Sequence, residues 1–120
     1  MHELGVALSL LEGIDQACAR EGTPRVLAVH VRIGALSGVS PDALRFAWEL
    51  ASEHTVAAGS RLVVEAVSTC LRCMKCSLES EPAAGTGLAC RLCGAVETTI
   101  VRGRELQLAA MEVMDGNAKN

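Results

Sequence analysis

The sequence predicts an α+β fold, in which a small mixed three-stranded sheet packs with two helices and a zinc-ribbon-like domain is inserted before the last strand. Three observations predict it. Apolar residues recur at helical spacing in two segments and alternate at strand spacing in two others. Five of the six cysteines fall within residues 70–93. With 120 residues and 50% hydrophobic content, the chain supports one modest core and a small satellite held by a metal.

The first part of the chain predicts a helix followed by a strand. In residues 4–20 the apolar positions recur three and four apart on one helical face, namely Leu4, Ala7, Leu8, Leu11, Ile14 and Cys18. Gly22 and Pro24 end this helix. Residues 25–33 alternate, which predicts a half-buried strand with Leu27 on its apolar side and Ala28 on the other.

The segment Ser40-Pro41-Asp42 predicts the start of a second helix that runs to about residue 53. It provides a capping hydroxyl, a proline at the first helical position and an acid in the first turn. The apolar face of this helix should consist of Ala43, Phe46, Ala47 and Leu50, widened by Leu44, Trp48 and Ala51. Residues 61–67 predict a second strand, and residues 105–113 alternate as a third. The core domain is therefore split by the cysteine-rich segment.

The cysteine-rich segment predicts a metal site. Two thiolates three positions apart on a tight turn can both face one ion, and two such turns close four sulfurs around it. Disulfides are the alternative, but the N-terminus does not resemble a secretory signal, and thiols of a cytoplasmic protein stay reduced. Zinc is the default occupant, while a rubredoxin-like iron site is a further alternative because four thiolates also bind iron.

The choice of the four ligands depends on the residue that follows each pair. Three cysteines within residues 70–76 form two overlapping Cys-x-x-Cys pairs. The backbone turns sharply after the second cysteine, so a glycine or a small polar residue suits that position. Ser77 and Gly94 meet this requirement, whereas the alternative pair is followed by the bulky Met74. We therefore predict structural zinc at Cys73, Cys76, Cys90 and Cys93. Cys70 is set aside as a spare thiol.

Composition and charge argue against several classes of protein. The net charge of −3, with one Phe, one Trp and no Tyr, counts against nucleic acid as a partner. No apolar stretch approaches the length that spans a bilayer, so we expect a cytoplasmic protein without membrane contact. No nucleophile has a nearby base and no zinc position is left open, so we do not expect an enzyme. Residues 115–120 are polar and predict a flexible tail.

The start of the chain, Met1-His2-Glu3, offers a second set of metal donors. The terminal amine, the backbone amide nitrogen of His2 and its imidazole can wrap one ion in fused chelate rings. Planar nitrogen ligation suits Ni(II) or Cu(II) rather than zinc. Because these donors must lose protons to bind, uptake should strengthen as pH rises. On its own this signal is weak, since a histidine at position two is usually a solvated side chain.

Several motifs in order along the chain carry a resemblance. They are Met1-His2-Glu3 leading into a helix, Val-Arg-Ile-Gly-Ala-Leu-Ser-Gly-Val at 31–39, Asp-Ala-Leu-Arg-Phe-Ala at 42–47, the paired cysteines, and Gly-Arg-Glu-Leu at 103–106. Together they resemble the HypA/HybF family of nickel-insertion accessory proteins in hydrogenase maturation. The similarity runs from residue 1 to about residue 113.

The resemblance implies a nickel metallochaperone with two domains. Residues 1–69 and 101–114 would form a nickel-binding α/β domain, and residues 70–100 a zinc-binding insert. The nickel site implied by the family is made of Met1, His2 and Glu3, and its zinc ligands match the four cysteines predicted above. Nickel would pass to the [NiFe]-hydrogenase large-subunit precursor with the HypB GTPase as a partner, and in some relatives to urease with its accessory proteins.

Two questions stay open in this interpretation. The family includes monomers and homodimers, and the sequence does not choose between them. The alternative function is a zinc-ribbon interaction or transcription module without a second metal.

Overall fold

The computed structural model describes residues 2–114, which form two helices and two three-stranded sheets. The elements in chain order are α1 (His2–Glu21), β1 (Arg25–Gly34), α2 (Pro41–Ala51), β2 (Arg61–Val67), β3 (Cys70–Cys73), β4 (Glu79–Ser80), β5 (Thr98–Arg102) and β6 (Leu106–Met114). This confirms the predicted fold class. The predicted tail at 115–120 lies outside the described residues.

Helix α1 buries the face that the periodicity predicts. Its buried residues are Ala7, Leu11, Ile14 and Cys18. Leu4 and Leu8, at the edge of this stripe, stay exposed. The helix ends as predicted at Gly22, whose φ of 71° is the left-handed conformation that glycine adopts readily. The amide of Thr23 then closes the last turn on the carbonyl of Cys18 (2.9 Å).

Helix α2 begins as predicted but buries only one side of the predicted apolar stripe. The Ser40 side chain accepts a hydrogen bond from the Ala43 amide (3.2 Å), which makes it the N-cap. The buried residues are Leu44, Ala47 and Trp48. Phe46, placed on the core face by the sequence pattern, is 68% exposed, and Leu50 is exposed too. The prediction was wrong for these two residues and for Ala43, which is also exposed, and it was confirmed for Leu44, Ala47 and Trp48.

The physical reason for this rotation of α2 is Trp48. Its side chain is 1% exposed, and its indole Nε1 donates to Ser60 Oγ (2.9 Å). A tryptophan buries the largest apolar area of any side chain, so its placement sets how the helix turns about its axis. Leu44, four positions earlier, then faces the core in the same direction.

The first sheet has the strand order β2-β1-β6. Strands β1 and β2 are parallel, because residues further along β1 contact residues further along β2. Arg32 pairs with Glu65, and the Ala35 amide donates to the Val67 carbonyl. Strands β1 and β6 are antiparallel, because residues further along β1 contact residues earlier in the chain on the β6 side. His30 contacts Glu112, and the Gly34 amide donates to the Glu105 carbonyl. The sheet is therefore mixed, in agreement with the prediction.

The predicted sidedness of β1 was wrong at its start. Leu27 is 43% exposed, whereas its neighbours Val26 and Ala28 are fully buried. Further along the strand Val29 and Val31 are buried instead. Since successive residues point to opposite faces, both faces of β1 are covered, each over a different part of the strand. A central strand can be covered in this way, and one alternating pattern does not describe it.

The described chain divides into two compact units. The first contains residues 2–32, 39–65 and 107–114, and the second contains residues 33–38 and 66–106. The second unit thus takes in residues 33–38, 66–69 and 101–106, which lie outside the insert at 70–100 expected from the sequence. Its sheet has the order β4-β3-β5, and β3 pairs antiparallel with both neighbours.

A close approach of two glycines joins the segments of the second unit. The Leu36 amide donates to the Gly103 carbonyl (2.6 Å), and a side chain on Gly34 would overlap that same carbonyl. Gly103 itself has a φ of 124° and lies against Thr69. Only glycine fits at both positions. Within residues 2–114, neither helix is both long enough and apolar enough to cross a membrane.

Candidate metal centres

Two turns of the same construction hold the four predicted cysteine ligands. In the first turn the Sγ of Cys73 accepts hydrogen bonds from the amides of Lys75 and Cys76, both at 3.3 Å. The Ser77 amide then bonds to the Cys73 carbonyl (3.0 Å), with Ser77 at a φ of 66°. A small residue after the second cysteine suits this positive φ.

The second turn repeats the pattern around Cys90. The amide of Leu92 donates to its Sγ (3.4 Å), and the Gly94 amide donates to its carbonyl (2.9 Å). Gly94 has a φ of 81°. The two turns therefore aim their sulfurs by the same backbone geometry, and the residues that enable it are the two that the sequence singled out.

The structure brings the four sulfurs together. Cys73 Sγ lies 3.6 Å from Cys93 Sγ, and Cys76 Sγ lies 3.8 Å from Cys90 Sγ. The four ligand atoms all lie within 4.8 Å of one another. Sulfurs at roughly 2.3 Å from a tetrahedral zinc are about 3.8 Å apart, whereas those of a disulfide are about 2.0 Å apart. The spacing fits a four-thiolate metal site and not disulfides.

The protonation of the cluster differs from one thiol to the next. A hydrogen bond from the backbone amide of Cys76 lowers the pKa of Cys73 to about 6. A hydrogen bond from the backbone amide of Cys93 lowers the pKa of Cys90. The Ala95 amide lowers the pKa of Cys93, but the Cys73 thiol and burial raise it more, to about 11. Without a cation, crowded thiolates repel one another. A bound dication removes that obstacle and displaces the remaining protons.

Cys70 lies outside this group. It is buried at the start of β3, and its Sγ is 3.9 Å from Glu79 Oε1. Among the described residues, only Cys73, Cys76, Cys90 and Cys93 form a cluster of three or more metal-ligating side chains. The structure therefore separates the fifth cysteine from the four predicted ligands.

At the other candidate centre, His2 is the first residue of α1, and its side chain is 61% exposed. Its Nε2 lies 3.7 Å from Glu3 Oε2. The first four amides of a helix have no acceptor within the helix, so the His2 amide belongs to the set left unpaired by α1 itself. Met1, the remaining residue of the predicted nickel site, lies outside the described residues.

Glu3 has a structural contact that the sequence did not reveal. Its Oε2 accepts a hydrogen bond from the Ser40 amide (3.0 Å), at the N-cap of α2. This hydrogen bond from the Ser40 amide is the main reason that the pKa of Glu3 lies below its ordinary value, and the nearby His2 also lowers that pKa. The carboxylate thus ties the start of α1 to the start of α2. Thirty-seven positions separate the two residues, so no local pattern indicates the contact.

A family model described as "Hydrogenase/urease nickel incorporation, metallochaperone, hypA" matches residues 1–113. The chain belongs to the HypA family. Among curated relatives, the hydrogenase maturation factor HypA of Thermomicrobium roseum is 38% identical and covers 97% of this chain and 100% of its own. That of a Roseiflexus species is 42% identical, with 96% and 94% coverage.

Solved structures agree with this assignment to the HypA family. The solution structure of a HypA protein superposes with a TM-score of 0.74 at 25% identity and covers 96% of this chain and 98% of its own. The solution structure of the Ni metallochaperone HypA from Helicobacter pylori gives a TM-score of 0.69, also at 25% identity, and covers 95% and 98%. The resemblance found in the sequence is confirmed.

Membership in the HypA family settles the class of protein. The family is one of metallochaperones for hydrogenase and urease nickel incorporation, so the protein is a maturation factor and not an enzyme. The match favours this class over the alternative of a zinc-ribbon transcription module. The four-cysteine cluster gives the chain four side chains placed to hold a metal ion.

Proposed function

We propose that the protein binds one Ni(II) at its N-terminus and delivers it to the [NiFe]-hydrogenase large-subunit precursor. The donors are the amine of Met1, the amide nitrogen and imidazole of His2, and the amide nitrogen of Glu3, while the Glu3 carboxylate tunes the site. The single observation that carries the proposal is that α1 begins at His2. Its amide has no acceptor within the helix, and its imidazole is exposed beside it.

The electrostatics of this position favour a site that releases its metal. The starts of two helices, α1 and α2, meet at the Glu3 to Ser40 hydrogen bond. Helix N-termini carry partial positive charge, which disfavours a dication but assists loss of an amide proton. The ionised carboxylate of Glu3 offsets part of that charge. These opposing charges favour weak binding of nickel, which suits a protein that delivers the metal better than one that stores it.

For the second centre we propose structural Zn(II) at Cys73, Cys76, Cys90 and Cys93. The sulfur separations support zinc geometry, and four thiolates leave no open coordination position. In this proposal residues 70–100 form the zinc domain and the remainder through residue 114 forms the nickel domain. The zinc orders its segment and does not leave with the cargo.

The proposed partners follow from the family. They are the HypB GTPase and the hydrogenase precursor, with urease accessory proteins where a urease is present. Transfer proceeds by ligand exchange, because each donor of the receiving site can replace one donor of an exposed, incompletely wrapped ion. We propose that this takes place in the cytoplasm, where the four thiols remain reduced.

Nickel titration of untagged protein tests the site. We expect His2→Asn to lose stoichiometric nickel binding while the zinc content stays at one per chain. Asparagine is preferred to alanine because a small residue at position two favours removal of Met1. His54→Asn is the matched control, since it makes the same change at an exposed histidine whose φ of 66° asparagine tolerates. Unchanged nickel affinity in His2→Asn would refute the proposed site.

Delivery needs a separate experiment in cells. A strain that lacks its own copy of the gene is complemented with wild type, His2→Asn or His54→Asn, and hydrogenase activity is measured in nickel-limited medium. We expect activity with wild type and His54→Asn only, and recovery of the His2→Asn strain when nickel is added in excess. Full activity of the His2→Asn strain under limitation would contradict delivery from this site.

A further inference from the structure

A pocket of about 230 Å³ lies between the two helices, at Glu3 of the proposed nickel site. Its lining residues are Glu3 and Leu4 of α1 and Ala43, Phe46, Ala47 and Leu50 of α2. All of them except Glu3 are apolar. The pocket therefore combines an apolar surface with one carboxylate at its edge.

The large apolar side chains around this pocket are exposed. Phe46 is 68% exposed, Leu50 59% and Leu4 42%. Phe46 and Leu50 lie four positions apart on one face of α2, which the burial of Trp48 turns away from the core. Single exposed apolar residues are common, but a contiguous apolar patch with a polar rim marks a site of interaction. Leu4, Phe46 and Leu50 form such a patch, which we call the interhelical patch.

The shape of the pocket fits a helix of a partner. An extended peptide binds by adding to a sheet edge, which supplies unpaired backbone groups. The lining residues of this pocket all belong to α1 and α2, whose backbone groups are paired within each helix except at its ends. An amphipathic helix instead inserts side chains three and four positions apart into an apolar groove. The interhelical patch offers a groove of this kind.

The charges of the two helices favour a basic partner. Helix α1 carries four acidic residues and one arginine, and α2 carries two acidic residues and one arginine. Glu3 lines the pocket, and Glu49 lies beside Phe46 because it follows three positions later on α2. Arg45 contacts Asp42 at 3.0 Å, so these two charges offset each other. Complementary charge around an interface steers association and selects the partner.

We propose that the interhelical patch docks a basic amphipathic helix of the protein that receives the nickel. A second copy of this chain would bring two acidic surfaces together, and an anionic membrane would repel the patch, so neither matches its charge. The docked helix lies next to Glu3, where a donor of the partner can reach the metal. This role rests on the proposed function, because it requires nickel at His2.

Photo-crosslinking in cells identifies what occupies the patch. Benzoylphenylalanine in place of Phe46 keeps an aromatic side chain there, and digestion with mass spectrometry identifies the segment attached to it. We expect a segment of another protein in which apolar residues recur at helical spacing and lysines and arginines outnumber acids. The control carries the same residue in place of Leu36, an exposed leucine in the second unit, and should not capture that segment.

The other outcomes of this experiment overturn the inference. They are an adduct with a second copy of this chain, with a lipid, or with an acidic or alternating strand-like segment. The absence of any adduct at position 46 overturns it as well.

A synthetic peptide of the captured segment then tests the contacts by fluorescence anisotropy. We expect Phe46→Gln to weaken peptide binding roughly tenfold, because it removes an aromatic contact at the centre of the patch. Glu49→Lys should weaken it at low ionic strength, and a peptide with glutamates in place of its lysines should recover binding to this variant. Leu36→Gln is the control and should bind as wild type does. Equal affinity of Phe46→Gln and wild type overturns the inference.

Nickel titration separates this inference from the proposed function. Phe46→Gln should bind nickel as wild type does, since Phe46 supplies no donor, and circular dichroism verifies that the variant folds. If His2→Asn keeps its nickel while position 46 captures the basic helix, the nickel site is wrong and the docking surface stands. If His2→Asn loses its nickel while position 46 captures nothing, the docking surface is wrong and the nickel site stands.

Discussion

Replacement of one cysteine ligand should unfold the second unit and leave the first unit folded. In the second unit, the only buried hydrophobic side chains besides the cysteines are Ile33 and Leu71. Their full burial contributes about 3–6 kcal/mol. A structural zinc contributes roughly 10–16 kcal/mol of apparent binding free energy. The metal is therefore the larger stabilising term, and Cys73→Ser removes one of its four ligands.

The expected loss of affinity follows from the ligand count. A quarter of the zinc binding free energy is about 2.5–4 kcal/mol, which weakens zinc binding by about two to three orders of magnitude. Competition with a colorimetric chelator measures the affinity, and amide hydrogen exchange reports which residues lose protection. We expect loss of protection at residues 66–106 and retained protection in α1, in α2 and in residues 25–32 of β1.

Cys70→Ser provides the matched control. It makes the same atomic change at a buried cysteine outside the cluster, where the new hydroxyl can donate to Glu79. We expect one zinc per chain and near-wild-type affinity. Zinc loss in Cys70→Ser, or retention of wild-type affinity in Cys73→Ser, would refute the ligand assignment. In the wild type, zinc already has to displace the Cys93 proton at neutral pH, and its affinity should fall more steeply as pH drops below about 6, because protons then compete for Cys73 as well.

Three further predictions concern the framework around the sites. Gly34→Ala should lower the thermal midpoint, because the new side chain would overlap the Gly103 carbonyl. Gly13→Ala, which faces open space in α1, should raise stability by about 0.5–1 kcal/mol. Equal thermal midpoints for the two variants would contradict both expectations. Ser40→Ala removes the N-cap of α2 and should cost about 1 kcal/mol in urea unfolding, and an unchanged midpoint would argue against the cap. The folded-state pKa of Glu3 is lowered, so its stabilisation is present above its ordinary value of 4.5 and is lost as pH falls through the lowered pKa. The stability difference between wild type and Glu3→Gln should therefore shrink on acidification, and a difference that grows would show the opposite linkage.

Features encoded by neighbouring residues were predictable from the sequence. Ser40 and Pro41 mark the start of α2 in one short segment, and the strand predicted after the turn at residues 57–59 has the predicted bounds, residues 61–67. The cysteine turns belong to the same class. Ser77 and Gly94 indicate where the backbone needs a positive φ, and this decides between the overlapping cysteine pairs.

Features set by packing between distant segments were not predictable. The apolar residues of α2 cover more than half of its circumference, so the pattern allows several core faces, and the bond from Trp48 to Ser60 selects one. In β1 both faces are covered by other segments, so the alternating pattern alone placed Leu27 on the wrong side of the strand. The hydrogen bond from the Ser40 amide to Glu3 joins two elements across 37 positions, and no local sequence pattern at either residue indicates it.

The two candidate centres differ in how folding fixes their donors, and under the proposed function this difference decides which metal leaves. In the cysteine cluster each turn fixes its first sulfur by amide hydrogen bonds, and four thiolates would enclose the ion, so removal of the metal would break a folded unit. At the N-terminus the helix fixes only the backbone of His2, while its imidazole remains exposed. Glu3 is held by Ser40 rather than reserved for the ion. A partner can therefore replace the donors one at a time without unfolding α1, which is the property that transfer requires.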